Sequence, residues 1–177
     1  IYSFLHQFNI MQVKAPEGYT AADIRTLEDT DWTPPVSTEK RPHIIMIMGE
    51  AFSDLSENAH LDFTGYRDPM KNWKEICAEE GTISGHVVVP NFGGGTSNTE
   101  YDVLTGCATR YLGSSLPSYS FIHSDFDGMP RQLQKLGYET LSIHPGYAWF
   151  YNRQNVYPDL GFAASYFLED SFDLATQ

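Results

Sequence analysis

Apolar and polar positions alternate along residues 41–177 in blocks that predict strands and helices in turn. The run from His43 to Met48 is continuously apolar and ends at Gly49, which is typical of a parallel strand buried on both faces. The same reasoning predicts three further strands, at 82–89, 138–143 and 163–168. Strands that alternate with helices indicate an α/β sheet with helices on its faces.

Capping residues delimit the helices between these strands. Asp68 and Pro69 stand at the start of one predicted helix, and Gly81 closes it. Asp127 caps another helix, which ends before Gly137. The pattern predicts two more helices, over 96–104 and 149–157.

The first forty residues differ from the rest of the chain. Thr20 is the predicted N-cap of a short helix, with Asp23 in the position of a capping box. A proline-rich stretch over 31–41 indicates an extended connector. We therefore expect an arm or linker over residues 1–40 and a domain over residues 41–177.

Charge narrows the range of partners. The chain has 177 residues, with 23 Asp and Glu against 11 Lys and Arg, and a formal net charge of -12. Nucleic acids and anionic lipid surfaces are bound through clusters of Lys and Arg, so this balance argues against both. An anionic substrate would need a local positive feature, such as a metal ion, an arginine or a helix N-terminus.

The cysteines and the search for targeting signals say little about the function of the chain. Cys77 and Cys107 could form one disulfide bridge, but the sequence favours two small buried side chains. No run of about 18 apolar residues occurs, so no membrane span is predicted. The start at Ile1, without Met, is expected of a processed or excised fragment.

Chemistry-bearing residues follow the predicted strands, where open α/β sheets bind their ligands. Glu50 comes directly after the first strand, either as a ligand for a hard metal ion or as a loop acid without a ligand. Thr96 follows three glycines at the start of a helix. It is either a nucleophile that a divalent cation activates or an ordinary helix cap.

A third segment, 144–153, follows the strand predicted at 138–143. It supplies His144, several aromatic rings and Arg153, whose guanidinium suits a phosphate group. The alternative is that the aromatic side chains are core residues and Arg153 pairs with one of the many acids of the chain.

Taken together, three motifs indicate a family. They are PHIIMIMGEAFSDL at 42–55, GGTSNTEYDVLTG at 94–106, and HP followed by FYNR within 144–153. In this order they resemble the lipoteichoic acid synthase and phosphoglycerol transferase family of the alkaline phosphatase and sulfatase superfamily. The resemblance covers residues 41–177 and implies an α/β three-layer sandwich with a mostly parallel central sheet, present here as its N-terminal part.

The resemblance also implies roles for five residues. Glu50 and Thr96 match ligands of a Mn²⁺ or Mg²⁺ ion, and Thr96 matches the nucleophile. His144, Tyr151 and Arg153 match residues that line the glycerophosphate pocket. Tyr151 stands where the family usually has Trp. The Asp-His pair that completes the family's metal site does not occur after Arg153.

The function implied is transfer of glycerophosphate from a phosphatidylglycerol-like lipid to a glycerol or sugar hydroxyl through a phospho-threonine intermediate. The family's members are anchored in the bacterial cell membrane with the catalytic domain on the extracellular face. Two alternatives stay open: a phosphodiesterase or other hydrolase with the same fold, and a non-catalytic fragment that binds glycerophosphate polymers. The Cys/Ser-x-Pro-x-Arg motif of sulfate ester hydrolases is absent.

Overall fold

The structure is a computed structural model that describes residues 17–28, 41–49, 51–91, 93–112 and 116–171. Its helices and strands, in chain order, are α1 Ala21–Glu28, α2 Lys71–Cys77, α3 Thr96–Thr105, α4 Met129–Lys135, β1 Leu141–Ile143, α5 Arg153–Leu160, β2 Ala164–Tyr166 and α6 Leu168–Ser171. Short 3₁₀ helices occur at Leu55–Glu57, Thr109–Tyr111, Ser118–Phe121 and Phe150–Asn152.

The chain divides into two compact units, Ile1–Ile47 and Met48–Gln177. In the first unit, α1 begins as the sequence predicts, because the Asp23 backbone N–H donates to Thr20 Oγ1 at 3.2 Å. The Thr20 hydroxyl in turn donates to the Asp23 carboxylate at 2.6 Å, so the predicted cap is confirmed. The division at residue 40 stays a prediction.

A parallel sheet forms in the second unit. Strands β1 and β2 pair in parallel, with Leu141 opposite Ala164 and Ile143 opposite Tyr166. Helix α5 lies between them in the chain, which makes a β-α-β unit. The two later predicted strands are therefore confirmed in part, 138–143 over its last three residues and 163–168 over 164–166.

The two earlier predicted strands are wrong for the described structure. Residues 43–48 and 82–89 have no regular secondary structure and are exposed, with Ile47 at 88% and Val88 at 93%. Their apolar character fits a strand covered on both faces. A strand, however, forms only when neighbouring strands supply ladder hydrogen bonds, and the described residues supply none to these segments.

The hydrophobic core lies around α5. Val156 and Leu160 of this helix are fully buried, and they pack against Tyr119, Ile122 and Phe167. Burying each such apolar side chain contributes about 1.5–3 kcal/mol, so α5 and the 118–122 segment hold each other in place. This core supports the loop that follows β1.

The helix predicted over 149–157 is interrupted. Tyr151 and Asn152 adopt left-handed backbone angles, with φ of 57° and 60°, and α5 begins only at Arg153. Residues other than glycine rarely adopt this conformation, and two consecutive residues with left-handed angles are uncommon. The left-handed angles of Tyr151 and Asn152 change the direction of the chain, so the Arg153 side chain points into the interior.

The cysteines and the membrane prediction have separate outcomes. Cys77 and Cys107 are both free thiols; Cys107 is exposed and Cys77 is only partly buried, so the expectation that both are buried is wrong. Cys107 follows the end of α3 in a loop, where its backbone N–H donates to Thr105. The longest helix in the described ranges, α3, has 10 residues, which is too short to span a membrane.

Candidate active site

The N-terminus of α3 is built by a turn of glycines. Gly93, Gly94 and Gly95 all have positive φ, of 71°, 120° and 83°, a conformation that side chains disfavour. Helix α3 then begins at the half-buried Thr96. Backbone N–H groups and the helix dipole create positive potential at this end of a helix. The predicted helix start is confirmed, and Thr96 occupies it.

The first turn of α3 is held firmly in place. Asn98 is buried, and its side-chain amide donates to the Leu116 carbonyl at 3.2 Å while its oxygen accepts from the Ser118 N–H at 2.7 Å. The Ser118 hydroxyl also donates to the Ser97 carbonyl. These contacts hold the first turn of α3, and with it Thr96, in a fixed position.

Glu100, which lies one turn after Thr96 on α3, is the centre of a buried network. Its carboxylate accepts hydrogen bonds from both phenol groups that face it, Tyr119 at 2.9 Å and Tyr157 at 3.1 Å. Arg153 donates to the same carboxylate through two nitrogens, at 2.6 Å and 3.0 Å. Four donors satisfy this buried charge, as a stable buried carboxylate requires.

Arg153 is almost fully buried, at 1% exposure, and contacts more than Glu100. Its third described hydrogen bond runs from Nη1 to the Phe150 carbonyl at 3.0 Å. Its guanidinium carbon lies 5.2 Å from the centre of the Tyr151 ring, within cation–π range. Arg153 therefore holds the left-handed turn that precedes it.

Burial and charge shift the pKa values of this network. Burial, followed by the negative charge of Glu100, raises the pKa of both Tyr119 and Tyr157, so both phenols stay protonated donors. Burial opposes the charge of Arg153. The hydrogen bonds and charge of Glu100 outweigh this effect and raise the pKa of Arg153.

His144 lies beside the network, directly after β1. Its Nε2 is 4.0 Å from Glu100 Oε1, and its Nδ1 accepts a hydrogen bond from the Gly146 N–H at 3.0 Å. Burial, together with the charge of Arg153, lowers the pKa of His144. The imidazole is therefore neutral at pH 7, and its proton is on Nε2 because Nδ1 serves as an acceptor.

The structure thus brings Thr96, His144, Tyr151 and Arg153 to one region around Glu100. Glu50 lies outside the described residues, so its place beside Thr96 stays a prediction. Glu100 is not among the site residues predicted from the sequence. A usable signal was present, since residues four apart on a helix share a face, and Glu100 is four residues after Thr96.

A divalent metal ion needs several oxygen ligands at this site. Of the two predicted ligands, the described residues contain only Thr96, a hard oxygen donor of the right kind. Within the described ranges, no group of three His, Cys, Asp or Glu side chains could hold a metal ion. The described donor set therefore does not complete a metal site.

Comparison with known proteins assigns the family. Residues 42–175 match the Sulfatase family, and the protein belongs to that family. This membership confirms the predicted superfamily and its α/β fold class.

Two relatives extend the comparison. The chain is 30% identical over 161 residues to the "Putative cyclic beta-1,2-glucan modification protein" of Rhizobium meliloti (strain 1021). The match covers 90% of this chain and 24% of that relative, so the chain spans about a quarter of its length. The crystal structure of the lipoteichoic acid synthase LtaP from Listeria monocytogenes shares 26% identity, with a TM-score of 0.44. That similarity covers 49% of this chain and 21% of LtaP.

Proposed function

We propose that this protein is part of a metal-dependent phosphoglycerol transferase of the cell surface. It would move glycerophosphate from a phosphatidylglycerol-like lipid to a glycerol or sugar hydroxyl. The observation that carries the proposal is the position of Thr96, at the N-terminus of α3 and one turn before the Glu100–Arg153 pair. A hydroxyl at that position meets an anionic phosphodiester where the helix supplies positive potential.

In the first half-reaction, Thr96 Oγ1 attacks the phosphorus of the donor. The new bond joins Thr96 Oγ1 to phosphorus, and the bond from phosphorus to the diacylglycerol oxygen breaks. The Thr96 proton is lost, and the diacylglycerol oxygen gains one as it leaves. In the second half-reaction, an acceptor hydroxyl attacks the same phosphorus and releases Thr96, which recovers its proton.

Three residues would bind the donor headgroup. His144, neutral with its proton on Nε2, is a hydrogen-bond donor that suits a phosphoryl or hydroxyl oxygen. Tyr151 places an aromatic ring beside Arg153. Arg153 is buried, and three of its five N–H groups donate within the described residues, so a phosphate would have to enter beside the Glu100 pair to contact the other two.

The cofactor we propose is Mn²⁺ or Mg²⁺, held by Glu50 and Thr96 with further ligands. When bound, such an ion lowers the pKa of a coordinated hydroxyl and neutralises charge on phosphoryl oxygens. The net charge of -12 supports this part of the proposal, because the chain has few cations for an anionic headgroup.

The partners of the proposal are an anionic glycerophospholipid and a glycerol or sugar acceptor. The name of the Rhizobium meliloti relative concerns a cyclic β-1,2-glucan, which supports a sugar as the acceptor. The parent protein would be anchored in the bacterial cell membrane, with its catalytic domain on the extracellular face. Nucleic acid is not among the partners we propose.

The test uses the full-length protein, phosphatidylglycerol with a labelled headgroup, Mn²⁺, and either glycerol or a neutral β-glucan as acceptor. We expect labelled acceptor and free diacylglycerol in equal amounts. Thr96→Ala should lower the rate by a factor of about 10³ or more. Thr105→Ala, at the other end of α3, is the matched control and should retain the rate.

Two outcomes would contradict the proposal. If labelled glycerophosphate appears in water and never on an acceptor, the protein is a phosphodiesterase. If Thr96→Ala and wild type turn over donor at the same rate, Thr96 is only the first residue of α3 and not the nucleophile.

A further inference from the structure

An exposed group of aromatic side chains lies next to the candidate active site. Tyr147, Trp149 and Phe150 are 51%, 63% and 48% exposed. The rings of Tyr147 and Trp149 are stacked, with centroids 5.9 Å apart and planes 19° from parallel. Large apolar side chains that cluster on a surface commonly mark a binding site. We call Tyr147 and Trp149 the aromatic platform.

The backbone beneath the aromatic platform is fixed. Ala148, between the two rings, is buried in the core at 6% exposure. Its N–H donates to Glu169 Oε1 at 2.9 Å, and its carbonyl accepts from the Gln154 N–H at 3.1 Å. Because Ala148 points inward and is held at both ends, its two aromatic neighbours are held outward.

A chain of ring contacts joins the platform to the candidate active site. Trp149 contacts Phe150 edge to face at 5.7 Å, and Phe150 contacts Tyr151 at 4.5 Å. The Tyr151 ring in turn lies against Arg153. A ligand that covers the platform therefore lies beside the residues proposed to bind the glycerophosphate.

The charge of the segment that carries the platform narrows the class of ligand. From 144 to 171, Arg153 is the one Lys or Arg in the sequence, and it is buried against Glu100. Adsorption onto an anionic membrane surface needs several exposed cations, and the one cation of this segment, Arg153, is buried. Aromatic faces without cations instead suit a neutral ligand with apolar faces and a polar rim, and a pyranose sugar has both.

We propose that Tyr147 and Trp149 form a subsite that binds a neutral pyranose ring of the acceptor. The proposal rests on the proposed function, since it assigns the sugar acceptor its place at the same site. The C–H face of the ring would cover the platform, while its hydroxyl groups stay in water or reach toward Thr96.

The test is binding of a β-1,2-linked glucose tetrasaccharide to the full-length protein by titration calorimetry. We expect Trp149→Ala to weaken binding about tenfold or more, which corresponds to 1.4 kcal/mol. Trp149→Phe should recover part of the affinity because it restores an aromatic face. Tyr111→Ala is the matched control, since Tyr111 is exposed at 76% and lies outside the platform.

Several results would overturn the subsite. They are unchanged affinity in Trp149→Ala, no binding by wild type, or Trp149-dependent binding to phosphatidylcholine–phosphatidylglycerol vesicles in place of the sugar. The binding assay is independent of turnover. If the sugar binds through Trp149 but receives no glycerophosphate, the subsite stands and the proposed function fails. If transfer occurs with the same KM for sugar in Trp149→Ala, the subsite alone fails.

Discussion

Glu100 and Arg153, 53 residues apart in the chain, form a buried ion pair in which two guanidinium nitrogens contact two carboxylate oxygens. The pair joins α3, which begins with Thr96, to α5 and the turn that precedes it. It therefore fixes the nucleophile predicted on one helix relative to the loop that carries His144 and Tyr151.

Glu100→Gln should destabilise the protein strongly. The substitution keeps the size of the side chain but leaves the buried Arg153 charge without its partner, which typically costs about 3–5 kcal/mol. Denaturant unfolding measures the change in free energy of unfolding. Glu75→Gln is the matched control, because it breaks the exposed pair with Lys71 and should cost at most about 1 kcal/mol. Equal losses in the two variants would show that the buried pair is not important for stability.

Arg153→Lys should be milder than Arg153→Ala but clearly defective. Lys keeps the positive charge beside Glu100, yet it offers one nitrogen where Arg153 uses three, so the paired geometry is lost. We expect a partial loss in Tm and a partial loss of activity, measured on the same full-length preparations. If the activity per folded molecule is unchanged in both variants, Arg153 stabilises the fold and does not bind the substrate.

How far the sequence predicts this fold depends on how local each signal is. The start of α3 at Thr96 was predicted correctly, because glycines before a helix fix its first residue. The helix predicted over 149–157 was interrupted, because the left-handed angles of Tyr151 and Asn152 depend on contacts with distant residues. The strands predicted at 43–48 and 82–89 failed for a related reason, since a strand depends on its neighbours.

The candidate active site shows the same difference between local signals and contacts with distant residues. Thr96, His144, Tyr151 and Arg153 stand in recognisable motifs and were named from the sequence. Glu100 was missed because an acid on a helix is usually solvated, and only the tertiary structure places three donor side chains around it. The role of Glu100 depends on tertiary packing, which no single segment of the sequence determines.

His144 should be neutral at pH 7 with its proton on Nε2. Nitrogen NMR of the imidazole distinguishes this tautomer directly, and detection of the Nδ1–H form would contradict the described geometry. Because the folded protein lowers the pKa of His144 from 6.5, the unfolded chain binds this proton first as the pH falls. The stability that neutral His144 contributes is therefore complete above pH 6.5 and decreases below it.

The unfolding free energy at different pH values tests this sign. Between about pH 7 and pH 5, wild type should lose more stability than His144→Gln, which lacks the titrating group. His123→Gln is the matched control, because it removes an imidazole from an exposed position outside the network. A wild type that gains stability over this range relative to His144→Gln would mean that the pKa of His144 is raised.

Gly146→Ala should displace the His144 ring. A Cβ at this position would lie 2.8 Å from His144 Cε1 and 3.1 Å from Nδ1, closer than side chains tolerate. We expect a changed imidazole NMR signal and a lower rate of transfer, with only a modest loss in Tm. Gly85→Ala is the matched control, since a Cβ there contacts nothing within 4 Å. An unchanged His144 signal in Gly146→Ala would show that the ring is not confined by this contact.

The central claim is that Thr96 is the nucleophile of a glycerophosphate transfer. The most direct measurement is mass spectrometry of the full-length protein after brief incubation with phosphatidylglycerol and Mn²⁺, in the absence of acceptor. The claim predicts a glycerophosphate group on the peptide that contains Thr96, and no such group in Thr96→Val. A glycerophosphate group on another residue, or turnover that proceeds unchanged in Thr96→Val, would contradict it.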